Sequence, residues 1–215
     1  MELFLALLGG YLLGSIPFGV VYVRLFTGKD IRQVGSGRTG GTNAMRAGGF
    51  WVGLATALSD VFKATVAVWL AGQLLPAELR VWGMVLAGLG AILGHNYPVW
   101  LRFKGGAGGA TAAGAAIAIW PWLAPIALGV GAFILYFIGY ASVATIVTAL
   151  VITGTLIYLA VVGTLSGTFI WFGVGSVLLL AWALRANFAR LARGEERLVG
   201  RRAKRRAPPD SAGPA

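Results

Sequence analysis

The 215 residues contain no cysteine and a single histidine, His95. The first absence excludes a disulfide framework, a thiol nucleophile and a thiolate-held iron–sulfur cluster. The second excludes the usual multi-histidine zinc constellations, so no metal site is expected. Charge is scarce, at 12% of residues, and acidic charge scarcer still, with 7 Asp and Glu against 18 Lys and Arg. A cleaved signal peptide is not expected, because Glu2 stands where a basic region is needed and the apolar run continues to Phe26 without a convincing cleavage site.

What is abundant is apolar surface, at 58% hydrophobic residues, more than a soluble domain of this size could hide. The few charges are segregated. Residues 81–92 and 141–176 carry none, whereas 185–206 is dense in them. These features predict an all-α integral membrane protein. A crossing helix needs roughly 20 mostly apolar residues to cover about 30 Å of hydrocarbon. Residues 3–26, 50–75, 140–163 and 168–184 meet that need, and 81–94 does so marginally.

The stretch 110–137 is long for one crossing and is interrupted by Trp120, Pro121, Trp122 and Pro125. Parity decides how often it crosses. The basic segments 29–46, 102–104 and 185–206 should all face the cytoplasm. With the N-terminus outside, the basic tail reaches the cytoplasm only if 110–137 crosses twice, turning at 120–122. The expectation is therefore seven crossings, two of them short, with the C-terminus cytoplasmic. Six crossings would oppose a bias of about 1 kcal/mol per basic residue near an anionic leaflet. Residues 1–196 are read as one transmembrane domain and 197–215 as a basic, disordered cytoplasmic tail. The same juxtamembrane placement of the positive charge assigns it to membrane lipid and excludes a nucleic-acid partner.

Two cytoplasmic loops combine bare backbone with cations. In the first, Gly35, Ser36, Gly37, Arg38, Thr39, Gly40, Gly41, Thr42 and Asn43 lead to Arg46. In the second, Lys104, Gly105, Gly106, Ala107, Gly108 and Gly109 lead to Thr111. Glycine lets amides turn toward an anion, the hydroxyls add donors, and Arg46 and Lys104 supply charge, which together describe a phosphate cradle. A helix beginning near Thr42 or at Ala110 would favour the anion further. Neither loop carries the Gly-Lys-Ser/Thr of an ATPase P-loop. Inside the spans Ser15, Asp60, Lys63, Tyr140, Ser142 and Thr145 are polar and ask for a reason. Asp60 and Lys63 share a helix face, either as a self-neutralising pair or as a pair that orients the basic loops.

In order and spacing, these pieces resemble the bacterial membrane acyltransferases that move a fatty acyl group from acyl phosphate to glycerol 3-phosphate. The matching residues are Gly14 to Gly19, Gly35-Ser36-Gly37 through Thr42-Asn43 to Arg46, Asp60 and Lys63, then Gly94-His95 with Pro98. Phe103 to Gly106, Tyr140 with Ser142, and Asn187, Arg190, Leu191, Gly194 and Glu195 complete them. The resemblance implies a site at the cytoplasmic face of the inner membrane that converts glycerol 3-phosphate to lysophosphatidic acid without cofactor, metal or nucleotide. Its partners would be acyl phosphate, glycerol 3-phosphate and the enzyme that supplies acyl phosphate.

The residues expected to act are Ser36, Arg46, His95, Lys104 and Asn187, with Arg46 and Lys104 clamping phosphates and Asn43 and Asn187 orienting substrate oxygens. Gly37, Arg38, Thr42, Asn43, Gly105, Gly106, Thr111, Tyr140 and Ser142 are expected to line the substrate site. The proton acceptor is either His95 or a phosphate oxygen of the substrate itself. The chain departs from the family pattern at Arg38, Gly41, Ala107, Gly139 and Leu184, where asparagine, alanine, lysine, arginine and histidine are usual. A paralogue with another acceptor or without turnover, and an organic-phosphate transporter, are the competing readings.

Overall fold

The computed structural model describes residues 1–200 together with residues 202 and 203. Among them the regular structure is helical, and the one strand-like pairing is the isolated antiparallel bridge between Tyr140 and Leu198. Helices α1 (Glu2–Gly14) and α2 (Phe18–Thr27) make the first span, which the sequence suggested would be continuous. The chain breaks at 15–17 because Pro17 brings no N–H to the ladder. Breaks of this kind are tolerated in a membrane only where another group satisfies the freed backbone. Here Lys63 Nζ donates to the Ile16 carbonyl at 3.0 Å.

Helix α3 (Gly41–Leu74) starts nine residues before the predicted span and kinks at Gly49, whose φ of 85° suits only glycine. Residues before the kink are thus helical rather than loop, and the segment after it is the expected span. Helix α4 (Ala77–Asn96) is followed by a 3-10 turn, Val99–Leu101, and by left-handed Arg102 and Phe103. The 110–137 stretch divides as expected, into α5 (Gly109–Ile119) and α6 (Leu123–Phe137) around Trp120 to Trp122. With 11 residues, α5 is roughly 16 Å long and reaches about half-way through the hydrocarbon. Helices α7 (Ala141–Val161) and α8 (Phe169–Ala192) complete the bundle. Five segments, counting α1 with α2, are long and apolar enough to cross a membrane, and α5 and α6 are the two shorter ones.

Small residues let the helices approach closely. Gly10 and Gly14 on α1 face the Ala87 and Ala91 backbone on α4, and Gly90 and Gly94 on α4 face the backbone of Leu7, Tyr11 and Ser15 in return. Two small-xxx-small patterns meeting this way replace the hydrophobic drive that lipid cannot supply. Behind them a buried cluster of Ala64, Ala91, Ile92, Ala115, Phe172 and Leu180 ties α3, α4, α5 and α8 together. Its alanines permit the short helix spacing, and Phe172 fills the space over Gly88.

Of the expected tail, residues 197–200 fold back on the bundle. The Val199 N–H donates to the Gly139 carbonyl at 2.8 Å, and the Arg197 guanidinium donates to the Gly35 carbonyl. The rest of that expected disordered segment, 201 and 204–215, lies outside the described residues.

Candidate active site

The N-terminal ends of α3, α5 and α7 and the C-terminal ends of α4 and α8 meet at one end of the bundle around a cavity of about 170 Å³. Its first wall is the Gly35–Gly41 loop, and Asn43 shapes that loop. The Asn43 side-chain N–H groups donate to the carbonyls of Ile31 at 3.1 Å, Val34 at 2.9 Å and Arg38 at 2.8 Å. Its Oδ1 accepts from the Ser36 N–H at 3.0 Å. An amide offers two donors and one carbonyl oxygen, so both ends are committed to the loop. Asn43, which also lines the cavity, thus holds in place the backbone that carries Ser36 and Arg38.

Neither α3 nor α5 has a side-chain cap, and both begin at glycine-rich backbone on the cavity wall. Their first amides have no helical acceptor, and the helix dipoles add partial positive charge. Full charges join them, because Arg38, Arg46, Arg190 and Arg197 line the cavity with the carboxylates Asp60 and Glu196. Burial is the main influence on the Arg38 guanidinium and lowers its pKa, an effect that the Arg190 charge reinforces and Glu196 opposes. Arg38 donates from Nη2 to the Ala183 carbonyl, while its buried Nη1 has no partner among the described residues. Such a cation, half removed from water and only partly paired, favours an incoming anion.

Ser36, Arg38, Thr42, Arg46, His95, Ser142 and Asn187 are brought together on this wall. Among the described residues, Ser142 Oγ and Asn187 Oδ1 are buried without hydrogen-bond partners. Asn187 is oriented by Glu196, which accepts from its Nδ2 at 2.7 Å and from Arg190 Nε at 3.3 Å. Thr111 is fully buried outside the wall, Tyr140 caps the start of α7, and Gly37 turns the first loop at φ 72°.

Lys104 is placed differently from the expected paired clamp. It lines a neighbouring cavity of about 170 Å³ with Gly105, Gly106, Asn96 and Arg185, and Arg38 borders both spaces. The Gly105 and Gly106 amides, expected to face an anion, donate instead to the Asn96 and His95 carbonyls at 3.1 and 3.0 Å. That folding of the second loop onto the end of α4 carries Lys104 aside.

Sequence reasoning gave no site role to Arg190, Glu196, Arg197 or Asn96. Arg197 and its neighbours read as a solvated basic tail, and spacing alone held no sign that the chain returns there. Asp60, Lys63 and His95 likewise form one buried cluster, with Asp60 Oδ1 at 2.8 Å from Lys63 Nζ and 3.4 Å from His95 Nδ1. The Asp60–Lys63 pair was visible as a helix-face spacing, but its histidine neighbour was not.

Fold and site define an integral membrane protein with a cationic, phosphate-sized cavity at one end of a helical bundle. A family model described as glycerol-3-phosphate acyltransferase matches residues 4–194, and the chain belongs to that family. It is 40% identical over 213 residues to the glycerol-3-phosphate acyltransferase of Paramagnetospirillum magneticum, covering 95% of this chain and 97% of the relative. Against that of Anaeromyxobacter sp. strain Fw109-5 the identity is 42% over 194 residues, covering 87% and 92%. Two crystal structures of PlsY (YgiH), an integral membrane glycerol 3-phosphate acyltransferase, share the fold. The glycerol 3-phosphate form superposes with a TM-score of 0.82 at 31% identity over 96% of this chain and 100% of that one. The lysophosphatidic acid form does so with 0.79 at 30% identity over 93% and 96%.

Proposed function

We propose that this chain transfers a fatty acyl group from acyl phosphate to the 1-hydroxyl of glycerol 3-phosphate, releasing lysophosphatidic acid and inorganic phosphate. The observation that carries the reading is the convergence of Arg38, Arg46, Arg190 and Arg197 with two uncapped helix starts on one small cavity. Two phosphorylated substrates must meet without mutual repulsion, and such a wall neutralises both. The hydroxyl oxygen attacks the acyl carbon, the carbon–oxygen bond to phosphate breaks, and the hydroxyl proton leaves on the departing phosphate.

Ser142 Oγ and Asn187 Oδ1 hold the glycerol hydroxyls, and the guanidinium groups hold the phosphates. No cysteine is available to form a thioester intermediate, and a mixed anhydride is reactive enough to need none. An enzyme that makes acyl phosphate must act upstream. The cavity end is also the end that bears Lys29, Arg32, Arg102, Arg185 and Arg190. By the positive-inside rule that end is cytoplasmic, with the N-terminus outside and the enzyme in the inner membrane. A one-ended site also disfavours transport, which needs access from both faces.

The test offers purified protein palmitoyl phosphate, palmitoyl-CoA or palmitoyl thioester carrier protein, each with glycerol 3-phosphate, and follows lysophosphatidic acid by mass spectrometry. Product from palmitoyl phosphate alone is expected. Product from a thioester at a comparable rate would overturn the donor assignment.

A further inference from the structure

We infer that His95 serves the cavity as a neutral hydrogen-bond donor through Nε2–H, and that Lys63 and Asp60 are positioning residues that hold it in that tautomer. This rests on the acyl-transfer reading given above. Lys63 Nζ lies 2.8 Å from Asp60 Oδ1, 3.0 Å from the Ile16 carbonyl and 3.0 Å from His95 Nδ1. An ammonium has three protons and no lone pair, and these three neighbours use all of them. The contact with His95 is a hydrogen bond only if Nδ1 offers its lone pair. The alternative bond, from Nδ1–H to Asp60 Oδ1, is longer at 3.4 Å and would set an N–H against the ammonium. With Nδ1 accepting, the proton of the neutral ring sits on Nε2.

On the other side of the ring a Cβ at Gly106 would overlap Nε2, so the second loop passes that nitrogen closely and only as glycine, while Gly40, on the cavity wall, has its Cβ position 3.9 Å from the same atom. His95 is 6% exposed and lines the cavity, and among the described residues its ring hydrogen-bonds through Nδ1 only. Its carbonyl also accepts from the Gly106 N–H at 3.0 Å, so backbone and side chain are fixed together. The titratable groups facing the ring are Asp60 and Lys63 from α3. The α1–α2 break contributes a carbonyl, and Arg38, Arg46, Arg190, Arg197 and Glu196 share the cavity. A nitrogen that already carries a proton is not a base. The hydroxyl proton therefore goes to a phosphate oxygen of the substrate, and His95 donates to a phosphate or acyl oxygen throughout.

The experiment measures kcat and KM for palmitoyl phosphate and glycerol 3-phosphate in wild type, His95→Gln, His95→Leu and Lys63→Met, from pH 6 to 8. Folding of each variant is checked by size exclusion. Glutamine keeps an N–H near Nε2 and cannot act as a base, so His95→Gln should lower kcat/KM by up to about tenfold, and His95→Leu by about a hundredfold. Removing the Lys63 ammonium lets Asp60 take Nδ1–H, which turns the Nε2 lone pair toward the anion unless the ring is protonated. The ratio of Lys63→Met to wild-type activity should therefore fall as pH rises from 6 to 8. Taking the ratio removes the titration of the substrate phosphates. His95→Gln no better than His95→Leu, or a ratio that does not change with pH, overturns the inference. If Lys63→Met does not fold, the two His95 variants decide. An inactive, folded wild type overturns the acyl-transfer reading and this inference with it.

Discussion

Replacing Asn43 separates a residue that shapes the site from one that touches substrate. Its side chain reaches the Ile31, Val34 and Arg38 carbonyls and the Ser36 N–H, while only 2% of the residue is exposed. Its two donors and one acceptor, at about 1 kcal/mol net each, put the cost of Asn43→Ala near 3 kcal/mol of loop order. One factor of ten per 1.4 kcal/mol makes that about a hundredfold loss in kcat/KM if an ordered loop is required for turnover. Asn43→Asp should be worse although it is nearly isosteric, because a carboxylate would turn acceptor oxygens toward three carbonyls in a buried place. The assay is hydrogen exchange of residues 30–40 in detergent or nanodiscs, beside steady-state kinetics. Both variants should lose protection in that segment in the order Asp over Ala. Unchanged protection with impaired kinetics would refute the reasoning and return Asn43 to the substrate.

Close packing of α1 on α4 predicts opposite results at adjacent glycines. Gly10→Ala drives a methyl into the Ala87 carbonyl and should destabilise by about 1–3 kcal/mol or more, read as a fall in thermal midpoint, whereas Gly9→Ala meets nothing within 4 Å and should be neutral. Glu196 and Glu195 form a second pair: Glu196→Ala releases Asn187 and Arg190 and should lower kcat/KM at least tenfold. Glu195→Ala, at an exposed ion pair with Arg193, should leave kcat/KM within twofold.

The seven-segment count was legible because charge and apolar length are sorted so strongly along the chain. The Trp-Pro-Trp turn at 120–122 also marks a chain break by residues that local sequence can show. The break at Pro17 was less legible, since its stability depends on Lys63, 46 positions further along the chain, satisfying the Ile16 carbonyl. Within the site, Ser36, Arg46, Ser142 and Asn187 line one cavity; the glycine-rich loop pointed to the first two, whereas Asn187 was named only through the family resemblance and Ser142 stood out only as a polar residue inside a span. Lys104 does not join them, because Gly105 and Gly106 spend their amides on α4 carbonyls and Arg102 and Phe103 take left-handed backbone that no glycine announces. Glu196 and Arg197 were hidden by composition: a charged run resembles a solvated tail until the chain is seen to pair with Gly35 and Gly139. The Lys63–His95 contact joins residues too far apart in sequence for any periodicity to reveal it.

The most direct test of the central claim is the stoichiometry of inorganic phosphate and lysophosphatidic acid formed from palmitoyl phosphate, with and without glycerol 3-phosphate, by wild type and Arg46→Ala. Equal amounts of the two products, formed only with the acceptor and reduced at least a hundredfold in Arg46→Ala, is the predicted result. Phosphate release without acceptor, or undiminished transfer by a folded Arg46→Ala, would contradict the assignment of this cavity as the acyl-transfer site.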